Sequence, residues 1–179
     1  MDGPPMDGPA SGDLAPQSPA DTTTLRHALG WFATGVTIAT TLDAEKQPVG
    51  LTCNSFNSVS LAPPLVLWSL GRRSFSRPAF EQSTHFAINV LPSGQTALAK
   101  RFAKPLENKW AGVDWSPGTA GIPRLPLALA VFDCRVRERF QGGDHLIFLG
   151  EIVEMQSREA GDPLIFLRGR FGGFIASED

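Results

Sequence analysis

The chain has 179 residues, 42% hydrophobic and 19% charged, with a formal net charge of −2 and a pI near 5.9. That length suits one domain able to bury a core, and the slight acidity argues against a nucleic-acid binder, whose usual footprint is a basic patch. No apolar run approaches the ~20 residues that span a bilayer, so no membrane segment is expected.

Residues 1–21, MDGPPMDGPASGDLAPQSPAD, carry acids, Gly and Pro but no apolar segment. They do not read as a signal peptide. They read as a disordered tail ahead of a single domain over residues 22–176, because they hold too little apolar surface to offset their ordering entropy. Cys53 and Cys134 lie far apart, and no CxxC or Cys/His cluster exists, so no zinc site is expected. Both read as free thiols in a cytoplasmic protein, with a disulfide as the alternative. Tyr is absent, which removes the phenol as an acid or base.

In chain order, Thr24 is a candidate cap for a helix over residues 25–33, where Leu25, Ala28, Leu29 and Phe32 share one face. Residues 34–42, TGVTIATTL, are β-branched and predict a strand. Residues 43–50, DAEKQPVG, read as a hairpin turn leading into the next strand. Residues 50–64, GLTCNSFNSVSLAPP, begin like a strand and then read as a polar loop closed by two prolines. A continuous apolar strand, LVLWSL, follows at 65–70, then a loop and short helix at 71–83 and a strand at 85–91. Residues 93–103 read as a helix capped by Ser93, and 104–126 as a long irregular stretch, longer than a passive connector usually is. Two long strands are expected at 127–140 and 144–156 around a QGG turn, and residues 163–174 close the chain.

Six or seven strands with few, short helices argue against alternating βαβ units and for a mainly β, mostly antiparallel barrel with short helices. In residues 146–153 both alternating sets are apolar: Leu146, Phe148 and Ile152 against Ile147, Leu149 and Val153. One set can fill the barrel; the other calls for cover from a helix or a second subunit.

Three stretches could carry chemistry, and KRFA with Lys109 adds charge and an aromatic that equally suit an ordinary amphipathic helix end. Thr52, Cys53, Asn54, Ser55, Asn57 and Ser58 crowd hydroxyls and amides into a few positions. Such a lining suits a large polar ring with alternating donors and acceptors, and equally a turn that hydrogen-bonds its own backbone. SLGRRSFS, residues 69–76, ends a buried strand with glycine, two arginines and serines, a set that suits an anion or simply a solvated surface. It is not a Walker loop, and no GxGxxG supports a Rossmann site. GGDH, residues 142–145, puts His145 at a hairpin tip, where a histidine is either solvated or folded over a ligand. No GxSxG elbow supports hydrolysis.

FATGVTIATT, PVGLTCNSFNSVSLAPPLVLWSL, HFAINVL, KRFA, WAGVDW, GGDH and PLIFLRGRFGG occur in this order and resemble the flavin reductase family over roughly residues 25–174. The resemblance implies a split β-barrel, antiparallel and Greek-key-like, with FMN or FAD held near a homodimer interface. It implies NADH or NADPH as hydride donor, and a flavin-dependent monooxygenase as the partner that receives reduced flavin. Thr52, Cys53, Asn54 and Ser55 would line the isoalloxazine or ribityl chain, followed by Ser69, Leu70 and Gly71. Arg73, Ser74 and Phe75 would lie at the phosphate, closed by Arg101 and Phe102. His145 would position the nicotinamide, and Arg168, Arg170 and Phe171 match the closing motif. The family often has Tyr where Phe171 stands, and its phosphate loop is often shorter and richer in serine. Alternatives on the same barrel are an oxidase of the pyridoxamine-phosphate type and a non-enzymatic flavin carrier. A ligand-free structural dimer would leave the polar and arginine loops without a purpose.

Overall fold

The computed structural model describes residues 18–176. The expected tail therefore lies outside the described residues up to position 17. Residues 18–21 form a turn that ends in a helix cap. That cap is Asp21, not Thr24: its carboxylate accepts from the Thr23 N–H at 2.9 Å and from the Thr24 hydroxyl at 2.6 Å, fixing α1 (Thr22–Leu29) three residues earlier than the periodicity suggests. None of the residues of α1 is buried.

The strand expected at 34–42 breaks at Val36 into β1 (Thr34–Gly35) and β2 (Thr37–Leu42). The stretch read as a polar loop is mostly strand: β3 (Pro48–Cys53) and β4 (Asn57–Leu61) leave only Asn54, Ser55 and Phe56 between them. Small polar residues form strands here because each lies on a sheet edge, where one face and one backbone edge meet solvent. Next come β5 (Pro64–Gly71), α2 (Arg77–Gln82) and β6 (His85–Val90). The helix α3 (Thr96–Ala103) is entered through a single 3₁₀ turn at Ser93–Gln95, and Ser93 makes no capping bond; its N–H donates to the Asp162 carbonyl instead. The irregular stretch contains one small ribbon, β7 (Ser116–Pro117) with β8 (Pro123–Arg124). Two thirteen-residue strands, β9 (Ala130–Gly142) and β10 (His145–Ser157), form the long hairpin, and the chain closes with β11 (Ile165–Leu167) and β12 (Arg170–Gly172).

Seven strands make one antiparallel sheet in the order β3-β2-β6-β9-β10-β5-β4. Its two edge strands, β3 and β4, are consecutive in sequence, so the sheet must curl until its edges meet. The β5-to-β6 connection jumps from beside one edge to the interior, a Greek-key-like step. The interior is aromatic. Trp68 stacks on Phe148 at 4.8 Å and meets Phe80 and Phe86 edge-on. The inward set of β10, Leu146, Phe148 and Ile152, packs in this cluster, whereas Val153 and Met155 are exposed on the outer face. A second cluster, Val36, Ile38, Leu91, Phe102, Leu125 and Leu164, lies under α3.

The barrel also holds an ionic clamp. Asp133, 1% exposed, accepts from Arg124 at 2.6 Å, and Arg124 reaches Glu154 at 2.7 Å. Asp133→Asn leaves a nearly buried guanidinium with one exposed partner. The expected loss is about 3 kcal/mol, read as a lower urea midpoint with unchanged slope.

Candidate functional site at the barrel seam

Ser55 closes the barrel. Its hydroxyl accepts from the Ser69 N–H at 2.9 Å and donates to the Ser69 carbonyl at 3.2 Å, pinning the β3–β4 junction to β5. Beside this seam the exposed Asn54 side chain has no hydrogen-bond partner among the described residues. Thr52, Cys53 and Leu70 differ. The Thr52 hydroxyl donates to the Ala99 carbonyl at 2.7 Å. The Cys53 thiol is buried 3.0 Å from the Thr37 hydroxyl, and Leu70 is wholly buried in the aromatic core. Cys53 and Leu70 thus leave mainly backbone for the seam.

Two strand positions further on, β5 meets the hairpin tip. Gly71 pairs with His145, and a Cβ on Gly71 would lie 3.7 Å from the His145 ring. The Arg72 N–H donates to the Asp144 carbonyl at 2.9 Å, and the Arg72 guanidinium bonds Gln141. His145 Nδ1 lies 2.8 Å from the Asp144 carboxylate, whose hydrogen bond with His145 holds that carboxyl below the usual range. Arg73 is exposed and makes no hydrogen bond or ion pair among the described residues, so its charge is available. Ser74 is half-buried and accepts from the Ser76 N–H at 3.3 Å. Phe75 is 83% exposed.

The remaining expected residues are arranged otherwise. Arg101 donates to the Ala111 carbonyl at 2.6 Å and to Asn108, bracing the long loop rather than facing the arginine loop. Phe102 is fully buried beneath Gly50. Arg170 and Phe171 lie in a separate three-stranded sheet, β1-β11-β12, and with Arg168 in its β11–β12 turn they line their own cavity of about 460 Å³. The turn between β11 and β12 takes positive φ at Arg168 and Gly169. It is held to α1 by the Arg168 N–H on the Gly30 carbonyl at 3.0 Å and by the Arg168 guanidinium over Trp31 at 4.0 Å. So the polar seam, the arginine loop and His145 come together at one end of β5, Phe102 lies beneath Gly50 beside that loop, and Arg101 and the closing motif make their contacts elsewhere.

Lys109, which the sequence offers only as charge beside KRFA, lies just behind the arginine loop. Lys109 is half-buried, and its ammonium donates to the Phe102 carbonyl at 3.0 Å and to the Gly50 carbonyl at 3.3 Å. Burial lowers its pKa.

An antiparallel sheet curled until its edge strands are neighbours in sequence, with its polar groups gathered where they meet, is a split β-barrel. Comparison with known proteins makes the assignment particular: the family model described as flavin reductase like domain matches residues 29–174, and the chain belongs to that family. It is 46% identical over 149 residues to an NADH-dependent FMN reductase of Agrobacterium fabrum, covering 83% of this chain and 84% of that one. It is 40% identical over 148 residues to the reductase subunit of a flavin-dependent monooxygenase of Rhodococcus jostii, covering 83% and 75%. Its fold matches the NADH:FAD oxidoreductase of Streptomyces globisporus in complex with NAD and FAD fragments, with a TM-score of 0.87, 36% identity and coverage of 93% and 100%.

The buried thiols give a direct check on the seam. Burial pushes Cys53 up to about 11, and Cys134 is raised as well. The thiolate is the reactive form. Both cysteines are therefore expected to resist a thiol-exchange reagent in the folded protein at pH 9, and both to react once urea unfolds it. Rapid labelling of Cys53 in the folded state would mean that the seam is open.

Proposed function

We propose that the chain is an NAD(P)H-dependent flavin reductase, transferring hydride from NADH or NADPH to FMN or FAD and supplying reduced flavin to a partner monooxygenase. The observation that carries this reading is the meeting of three elements at one strand end: the Ser55–Ser69 seam, the free Arg73 of the loop after β5, and His145 beside Gly71. The residues fit the cofactor. Asn54 offers an unpaired amide next to exposed edge backbone, and Arg73 offers an uncompensated charge for a phosphate.

When bound, the flavin and the nicotinamide nucleotide supply the hydride chemistry themselves. The chain's contribution is positional. Small side chains at the seam let backbone donors approach a ring edge where negative charge develops. Asp144, bonded to His145 Nδ1, fixes the imidazole's orientation, so that His145 presents its other face beside Gly71. Holding two rings in register replaces a bimolecular encounter with a near-unimolecular one.

Assembly as a homodimer is part of the proposal. Leu29, Trp31, Phe32 and Leu167 are exposed where α1 meets the β11–β12 hairpin, with Phe174 close behind in the chain, a set of large apolar side chains that a second copy would cover. Buried free thiols support a cytoplasmic setting. The likeness to a monooxygenase reductase subunit supports the partner.

Asn54→Ala is expected to weaken flavin binding about fivefold, the value of one hydrogen bond of about 1 kcal/mol, measured by fluorescence titration. His145→Ala is expected to raise the KM for the nicotinamide nucleotide about tenfold while leaving flavin affinity unaltered. Equal effects of His145→Ala on both ligands would assign that residue a structural role.

A further inference from the structure

A cavity of about 470 Å³ opens between α3 and two stretches of the chain that follow it, residues 112–114 and 125–127. We propose that it binds an aliphatic ω-amino acid, a ligand with an ammonium at one end, a carboxylate at the other and methylene groups between. The site stands apart from the flavin reading, because Asn54, Arg73 and His145 do not line it.

Helical spacing sets out the first wall. Gln95, Leu98 and Arg101 recur every three residues, from the 3₁₀ turn to the last turn of α3, and all three line the cavity. Gln95 and Arg101 thus lie about 9 Å apart along the axis, with Leu98 between them. Leu125 and Leu127 face this row, and Leu127 is 57% exposed, so the apolar middle is open to a ligand.

The polar groups at the cavity lack partners of complementary kind. Gln95 Oε1 is buried with no hydrogen-bond partner among the described residues, so it calls for a donor. Arg101 spends one terminal nitrogen on the Ala111 and Asn108 carbonyls, which leaves its other guanidinium N–H groups for a carboxylate. Asp114, the other charged side chain on the wall, makes no hydrogen bond or ion pair among the described residues. Arg101 and Asp114 therefore line one cavity without neutralising each other, and a ligand that carries both charges satisfies both. Asp114 also decides the donor: beside a carboxylate an ammonium is favoured over a hydroxyl.

The span decides the length. An α-amino acid holds its two charged groups on one carbon, too close together to serve both ends of the row. Helical side chains lean toward the N-terminus, which brings the Arg101 guanidinium back over Leu98, so a chain of about four methylenes suits the gap. The volume lies within the range of small-ligand sites.

The test is calorimetric titration of the full chain, without flavin, with 5-aminopentanoate, pentanoate, pentylamine and leucine. The expected dissociation constant for 5-aminopentanoate is about 1 mM or tighter, and each of the other three is expected to bind at least about tenfold more weakly. Asp114→Asn, at an exposed side chain without partners, is expected to lose about tenfold in affinity for 5-aminopentanoate while pentanoate binding is unaltered. Gln95→Leu, which keeps the bulk and removes the acceptor, is expected to show the same selective loss. No binding of 5-aminopentanoate, equal binding of all four compounds, or unchanged affinity in either variant would overturn the proposal. So would displacement of 5-aminopentanoate by saturating FMN or FAD, which would make the cavity part of the flavin site. Flavin binding without 5-aminopentanoate binding would overturn this proposal alone and leave the reductase reading in place.

Discussion

The structure depends on one short connection. The seven-stranded sheet begins and ends with β3 and β4, and only Asn54, Ser55 and Phe56 join them. Such a link spans about 14 Å at full extension. The sheet must therefore curl until its two edges lie within that reach, and the Ser55 hydroxyl fastens the junction to Ser69 on β5. A barrel closed in this way has a seam rather than a continuous ladder. Backbone donors and small polar side chains collect there because no neighbouring strand occupies them.

Behind the seam, the core holds β5 rigidly. Trp68 lies on that strand, stacked on Phe148 of β10 and flanked by Phe80 and Phe86. The same register that seats Trp68 against Phe148 places Gly71 against His145 three residues later. Packing in the interior and geometry at the tip are thus one alignment. A slip of one residue would expose Trp68 and carry His145 away from the arginine loop. Chemistry that relies on positioning two ring systems is suited to a scaffold in which strand register sets the position.

Much of this was legible in sequence. Many strands with few, short helices gave an antiparallel barrel, but both alternating sets of residues 146–153 are apolar, so only the fold shows that Leu146, Phe148 and Ile152 are the inward one. The polar run after Gly50 stood out by composition. Its conformation did not: a row of Thr, Asn and Ser reads as loop, and edge position in a sheet is a tertiary fact that local propensity does not encode. Burial is equally non-local. Cys53, Leu70 and Phe102 belong to matching motifs, yet their side chains face the core. Arg101 is engaged by carbonyls seven and ten residues away, in a loop whose path only the fold determines. Lys109 and Trp110 acquire meaning only once that loop folds back over Gly50.

The central claim is that the seam and the tip of β5 bring a flavin and a nicotinamide nucleotide together. The most direct measurement is oxidation of NADH and NADPH by the purified protein, each with no flavin, with FMN and with FAD. The account predicts consumption that requires flavin and falls when Asn54 or Ser74 is changed to alanine. Flavin that binds without promoting oxidation of either nucleotide would contradict it, and would leave an oxidase or a carrier on the same barrel.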